Sequence, residues 1–472
     1  MRRHRNGKKS VFIRNRAFRN RQHPIAMSAL LLSAALLLSS AAEAINPELA
    51  DAEAPPLTVL EPVTADVGVE QQPDQVAARI ARKASSKPMG KESATFVMDA
   101  ATGQELFNDN GGTNLIPASS AKIPTAAGVL LATGGQSRIT TKVTQSGGTL
   151  YLVGGGDPLL SSRKPPAGSD VPDYPKLTSM KALARDTAAA IGTESGSEIK
   201  LKFDDSLFSG PDWGPDWPEY YRTSGIVAPV SALIVDDAQL APQGSKVAQP
   251  AQVAADRFAQ LLKQRGVTVG KVDRGRSPQD AAEIASVESV PMHAVVAQTL
   301  STSDNDTAEM LFRLAGIGAG YEGSFAGGSR AVQEALGSVG IATDGARFED
   351  GSGLSRLNKV SPKILSEIMR RAVTRQDELW PVASGLAVGG ATGTLKFRFD
   401  DMTTERAAGW ARGKTGTLNY VGSLSGFVQS ESGRVLVYSS IANEADSSFD
   451  ASAKIDEIVT ELADCGCPGK GR

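Results

Sequence analysis

The chain has 472 residues, 41 % hydrophobic and 22 % charged, an ordinary globular balance that excludes a disordered chain, a fibrous repeat and a multi-span membrane protein. Its formal net charge of −2 is uneven. Nine of the 50 Lys and Arg lie in the first 42 residues, which hold no Asp or Glu, so the remainder sets 41 basic residues against 52 acidic ones and argues against nucleic-acid binding.

Residues 2–21 carry the nine basic side chains, and an apolar run rich in Leu and Ala follows from Ile25 to Ala42, ending in Ala42-Glu43-Ala44. A basic stretch, an apolar stretch and a small-x-small site predict a signal peptide over 1–44 and an exported protein. The competing reading is an uncleaved membrane anchor, since the apolar run is just long enough to span a bilayer. Residues 45–75 mix five prolines with many acids and read as a linker or propeptide.

Regular structure is predicted from there on. Ala94–Asp99 and Gln104–Asn108 read as a strand pair around a turn, and an apolar helix runs from Ser119 to about Thr133. Ile139–Val153 reads as two strands. The texture changes over 146–285, where a Gly-rich loop (Gly154-Gly155-Gly156-Asp157-Pro158), helices at Ser179–Ile191 and Val253–Arg265, a strand at Glu198–Phe203 and an aromatic loop predict an inserted α+β domain. That loop holds Phe208, Trp213, Trp217, Tyr220 and Tyr221 and is expected to pack onto its domain, with stacking on sugar rings as the alternative. Helices follow at 292–302, 304–315, 327–338 and 362–374. Gly422–Gln429 and Arg434–Ala442 form a hairpin, and a last helix presents Ile455, Ile458, Val459 and Leu462 on one face. Strands at both ends of the regular region, with helices between, predict one sheet built from 76–145 and 286–464. The tail 465–472 contains Cys465 and Cys467, which an exported protein could pair as a small disulfide.

Elimination narrows the chemistry. Of three histidines only His293 lies outside the leader, which excludes a multi-histidine zinc site and leaves one candidate for a Ser-His-Asp triad. His293 sits in a helical stretch, and its default reading is structural. A hydrolase without histidine needs another base, and lysine is the obvious one. Ser119-Ser120-Ala121-Lys122 places a hydroxyl and an amine three residues apart, on one helix face. A neutral Lys122 could take the proton of Ser119, given a depressed pKa from burial or a nearby cation. The same spacing occurs at Ser161–Lys164 and Ser197–Lys200, but only Ser119 opens an apolar helix. Pro124, two residues after Lys122, is expected to kink or tighten that turn. Two further motifs bear on the weighing. Ser303-Asp304-Asn305 sits at the mouth of a helix, and Lys414-Thr415-Gly416-Thr417 precedes the hairpin. Separately they read as an N-cap and a turn. Together, in the order S-x-x-K, S-D-N, K-T-G, they match the set of the class A β-lactamases and penicillin-binding proteins.

The chain resembles the DacB-type serine D-Ala-D-Ala carboxypeptidase/endopeptidases, low-molecular-mass penicillin-binding proteins, over roughly 75–464. Leu152–Pro158, Asp350-Gly351-Ser352-Gly353-Leu354-Ser355-Arg356, Gly393-Thr394-Leu395 and Leu424-Ser425-Gly426 also follow that family's pattern. The resemblance implies an α+β fold: a penicillin-binding, β-lactamase-like transpeptidase domain, antiparallel sheet with helices, carrying an α+β domain inserted between the first two motifs. It implies Ser119 as nucleophile, Lys122 as base, Ser303 as proton relay to the leaving amine and Asn305 as holder of the substrate amide. Lys414, Thr415, Gly416 and Thr417 would bind the terminal carboxylate, with Lys414 helping to keep Lys122 neutral. The N–H groups of Ser119 and Thr417 would form the oxyanion hole. The implied substrates are peptidoglycan stem peptides and the implied covalent inhibitors β-lactams, with no metal, no organic cofactor and no membrane contact beyond a retained N-terminal segment. An inactive scaffold of the same fold and a β-lactamase are the competing readings.

Overall fold

The computed structural model describes residues 73–163, 175–192, 198–239 and 245–465. The leader, nearly all of the Pro-rich stretch, Lys164 and Ser197 of the other S-x-x-K matches, and Cys467 lie outside the described residues. Helix α1 (Pro73–Ala84) turns Val76, Ile80 and Ala84 inward at a spacing of four. Strands β1 (Glu92–Asp99) and β2 (Glu105–Asp109) pair antiparallel with Val97 opposite Phe107. A single 3-10 turn (Ala118–Ala121) leads into α2 (Lys122–Thr133). The expected disturbance at Pro124 takes this form. Pro124 has no N–H for the Ser120 carbonyl, and the Lys122 N–H closes the tighter 3-10 pattern onto the Ser119 carbonyl while also reaching that of Ser120.

The middle of the chain builds its own sheet. In order come β3 (Thr140–Ser146), β4 (Thr149–Val153), the short parallel pair β5 (Leu160–Ser161) and β6 (Thr178–Ser179), α3 (Met180–Ile191) and β7 (Ile199–Asp204). The one-turn α4 (Tyr220–Thr223) lies in the aromatic loop, and α5 (Pro250–Lys263), β8 (Val269–Arg274) and β9 (Ala282–Glu288) follow. The sheet order is β8-β7-β4-β3-β9, parallel where α3 and α5 carry the chain over and antiparallel elsewhere. Leu150, Leu152, Leu201 and Phe203 face Leu183, Phe258 and Leu262 of those helices. Because β3 pairs with β9, the sheet runs past 146–285 at both ends. The Gly-rich loop after β4 is a close crossing and not a phosphate cradle: a Cβ at Gly154 would lie 2.5 Å from the Ala232 carbonyl oxygen, and one at Gly155 2.0 Å from that of Thr140.

The chain then returns through α6 (Met292–Thr302), α7 (Asn305–Gly318), α8 (Phe325–Ser338), α9 (Pro362–Val373) and α10 (Trp380–Ser384). Strands β10 (Ala387–Val388), β11 (Ala411–Leu418), β12 (Val421–Gln429) and β13 (Val435–Asn443) precede α11 (Ser448–Ala463). The first sheet closes in the order β10-β11-β12-β13-β1-β2, every pair antiparallel, so the C-terminal hairpin joins the first strand, with Ala94 opposite Ile441. Its two faces alternate as a pleated sheet must. Phe96, Met98, Val437 and Ile441 join the core under α2, α6 and α9, while Val97, Leu436, Tyr438 and Ala442 join the core under α1 and α11. The site lies where α2, the α6–α7 junction and β11 meet.

Candidate active site

Ser119 lies in the 3-10 turn, half-buried, directly ahead of α2. Two glycines let neighbouring chain approach that turn. Gly353, at φ +85°, passes so close that a Cβ would sit 1.9 Å from the Ala118 carbonyl oxygen, and a Cβ at Gly416 of β11 would lie 2.6 Å from that of Pro117 and 3.0 Å from the Ser119 nitrogen. Underneath, the Ser423 hydroxyl donates to the Pro117 carbonyl at 2.7 Å and lies 2.8 Å from the Ser120 hydroxyl, pinning the turn to β12.

Lys122 is buried, with three partners at Nζ: Ser119 Oγ at 3.0 Å, Asn305 Oδ1 at 2.8 Å and the Ser352 carbonyl at 2.7 Å. Asn305 is oriented by its Nδ2, which donates to the Ile226 carbonyl at 2.9 Å, so its oxygen faces the lysine. Two of the three partners can therefore only accept. A neutral amine has two N–H bonds and one lone pair. With the N–H groups given to Asn305 and Ser352, the lone pair points at the Ser119 hydroxyl. Burial pulls the Lys122 pKa down to about 8, opposed by the carboxylates of Glu309, Asp304, Asp350 and Asp306.

The α6–α7 junction supplies the second motif. Ser303 ends α6 in the left-handed region (φ 61°, ψ 32°), Asp304 caps α7 through the Thr307 N–H, and Asn305 is the first residue of α7. Asp304 thus has a structural task. Lys414 Nζ donates to Ser303 Oγ and to the Thr415 carbonyl, both at 2.8 Å. Its pKa is pushed well down by burial and then by the charge of Lys122. Burial therefore leads for both lysines, and the repulsion between them falls on Lys414. Thr415 Oγ1 donates to Thr394 Oγ1 at 2.9 Å, and Thr417 lies exposed at the rim.

Sequence reasoning missed the supports of this set. Glu309, fully buried on α7, accepts from the N–H of Gly351 at 3.0 Å and of Ser352 at 2.7 Å, and so fixes the carbonyl that Lys122 uses. An acid on the otherwise apolar stretch Ala308–Phe312 was its signal. Asp350 ties its own loop together through the N–H of Gly353 and Ser355 and through Asn358 Nδ2. It also accepts from Trp217 Nε1 at 2.8 Å, which docks the aromatic loop. Trp217 is buried and meets Trp213 and Phe325 edge to face, so it packs the loop as expected. Trp217→Phe is expected to remove one bond to a buried carboxylate that keeps its backbone partners, at a cost of about 1–2 kcal/mol and a melting shift of a few degrees, measured by calorimetry. His293 hydrogen-bonds the Gly135 carbonyl through Nδ1 at 3.0 Å and packs by Trp380, which fits its structural reading.

A cleft of about 570 Å³ opens over Ser119, Ser303, Asn305 and Thr417. Its far wall is Tyr220, Tyr221, Ile226 and Leu354, with Asp216 and Arg356 among its lining. The cluster Asp237, Asp304 and Asp306 beside it is bridged by Lys246, whose Nζ lies 2.7 Å from carboxylate oxygens of both Asp237 and Asp306; the cation there is an ammonium.

A hydroxyl facing a buried amine, a Ser–Lys pair across the cleft and an antiparallel sheet edge beside them define a penicillin-binding serine hydrolase. Comparison with known proteins agrees. The D-Ala-D-Ala carboxypeptidase 3 (S13) family matches residues 76–246 and 237–464. A carboxypeptidase of Mycobacterium tuberculosis is 34 % identical, covering 85 % of this chain and 87 % of the relative. Carboxypeptidase DacB of Mycolicibacterium smegmatis is 32 % identical, covering 91 % and 92 %. The solved penicillin-binding protein 4 (DacB) of Haemophilus influenzae shares the fold at a TM-score of 0.67 and 20 % identity, over 83 % of this chain and 98 % of that one. The chain belongs to the S13 family of D-Ala-D-Ala carboxypeptidases.

Proposed function

We propose that Ser119 is the acylated nucleophile of an extracytoplasmic DD-peptidase acting on peptidoglycan stem peptides. The observation that carries this reading is the hydrogen-bond set of Lys122, which leaves its lone pair for Ser119. Lys122 Nζ takes the hydroxyl proton as Ser119 Oγ bonds to the carbonyl carbon of the penultimate D-Ala. The oxyanion sits against the N–H groups of Ser119 and Thr417. The C–N bond then breaks, and the departing amine receives a proton through Ser303, which Lys414 touches at 2.8 Å. Water reverses the sequence and frees the enzyme. Lys414, Thr415 and Thr417 hold the terminal carboxylate, and Asn305 the substrate amide. A carboxylate arriving beside Lys414 favours its charged form and raises its lowered pKa.

The basic and apolar leader over 1–44 supports export, and among the described residues no helix is long and apolar enough to cross a membrane. The pairing of β3 with β9 supports an inserted unit over about 140–288, set into a peptidase domain of 76–139 and 289–464. The four-membered ring of a β-lactam offers Ser119 the same acyl bond, so these compounds are the expected covalent inhibitors.

The test is incubation of the folded protein with a fluorescent penicillin and, separately, with a stem pentapeptide. A slowly decaying adduct on the peptide containing Ser119, with release of one D-Ala per pentapeptide, is expected. No adduct and no D-Ala would overturn the reading in favour of a scaffold. Rapid turnover of the label without accumulation would overturn it in favour of a β-lactamase.

A further inference from the structure

Beside β11 lies a second groove, of about 440 Å³, that shares Thr417 and Ser448 with the cleft. The hydrogen-bonded pair Thr415–Thr394 also lines this groove. Its base is rigid. Arg398 Nε donates to Asp456 Oδ2 at 2.8 Å and its Nη2 to the Ser452 carbonyl at 3.1 Å, so that guanidinium is engaged within the fold and is not offered to an anion. What the groove presents to solvent is two aromatic rings beside the exposed carboxylates of Asp400 and Asp401. Phe397 and Phe449 stand on its walls with 79 % and 80 % of their surface exposed. Two exposed phenylalanines on a fixed base, continuous with a catalytic strand, form a hydrophobic platform next to a site already shaped for peptide.

We propose that Phe397 and Phe449 form a subsite for the leaving strand of cross-linked peptidoglycan, and that they set the preference between cutting a cross-link and releasing a single D-Ala. The proposal rests on the peptidase reading above. In that reading the carboxylate of the leaving residue lies at Thr415 and Thr417. Whatever is attached to the α-carbon of the leaving residue beyond that carboxylate continues along the groove. In D-Ala that group is a methyl, too short to reach the phenylalanines. In a cross-linked dimer the leaving residue carries the second stem peptide, long enough to lie across both rings. Binding energy from that remote contact supports hydrolysis of the dimer alone.

The double variant Phe397→Ala with Phe449→Ala tests this on the whole protein. Both side chains are exposed, so truncation removes no core packing. The kcat/KM for a D,D-cross-linked muropeptide dimer is expected to fall about ten-fold, mostly through KM. Release of D-Ala from the monomeric pentapeptide and acylation by penicillin are expected to stay within two-fold. Equal losses on dimer and monomer, no loss on either, or a wild-type protein that trims the pentapeptide and leaves the dimer intact would each overturn the proposal. A wild-type protein that neither trims pentapeptide nor takes up penicillin would overturn the peptidase reading itself.

Discussion

Lys122→Ala is expected to slow penicillin acylation about a thousand-fold while leaving Ser119 in place, since general-base assistance is worth roughly 10² to 10⁴ in rate. The nucleophile loses the one basic group bonded to it among the described residues, Lys122 Nζ at 3.0 Å. The pH dependence distinguishes loss of a base from general damage. The reactive form of the wild type has Lys122 neutral, and burial brings its pKa to about 8. The neutral fraction grows as pH rises through that value, so acylation is expected to climb to a plateau above it. At pH 7 roughly a tenth of the molecules carry the free amine, and this rising limb should vanish in the variant. The truncation also strands the Asn305 and Ser352 oxygens that Lys122 serves, at a cost of about 1–3 kcal/mol, so rates are to be compared well below the melting point. Acylation within ten-fold of wild type, or persistence of the rising limb, would assign the base to another group.

How much of this was legible in sequence depends on the range of the interaction. The three motifs were readable because each is a local cluster with a fixed spacing, and the structure brings them to one cleft as two hydrogen-bonded groups, Ser119–Lys122–Asn305 and Ser303–Lys414. The two-ended sheet was readable because β12 and β13 carry strong strand patterns with no other local partner. The supports were not. Glu309 shows in sequence only as an acid in an apolar stretch, and what it holds, two backbone N–H groups more than forty residues away, has no local signature, nor does the Pro117 carbonyl that Ser423 holds. The full extent of the middle sheet was not legible for the same reason. Thr140–Ser146 follows α2 directly, and only its long-range pairing with Ala282–Glu288 assigns it to that sheet. The aromatic groove by β11 left no sequence signal, because exposed phenylalanines far apart in sequence look like ordinary surface residues until Phe397 and Phe449 line the same walls.

Gly416→Ala is the smallest change expected to disable the site with every chemical group still present. A methyl group at this position would lie 2.2 Å from Ser423 Oγ, 2.6 Å from the Pro117 carbonyl oxygen and 3.0 Å from the Ser119 nitrogen. Either β11 retreats from the nucleophile or the turn holding Ser119 shifts. Both separate the Thr417 N–H from Ser119, and misplacement of about 1 Å at a reacting centre can cost about 100-fold in rate. Overpacking of this kind destabilises by roughly 1–3 kcal/mol, so the fold is expected to survive with a melting temperature lowered by several degrees. The identity of the obstacle can be separated by a second change. Ser423→Gly removes the hydroxyl that the methyl would strike first but leaves the Pro117 carbonyl, which belongs to the backbone of the turn itself. The double variant is therefore expected to regain part of its stability and little of its acylation rate. Full recovery of the rate would mean that the Ser423 hydroxyl alone was in the way, and that the approach of strand to turn is looser than the Gly416–Pro117 contact demands.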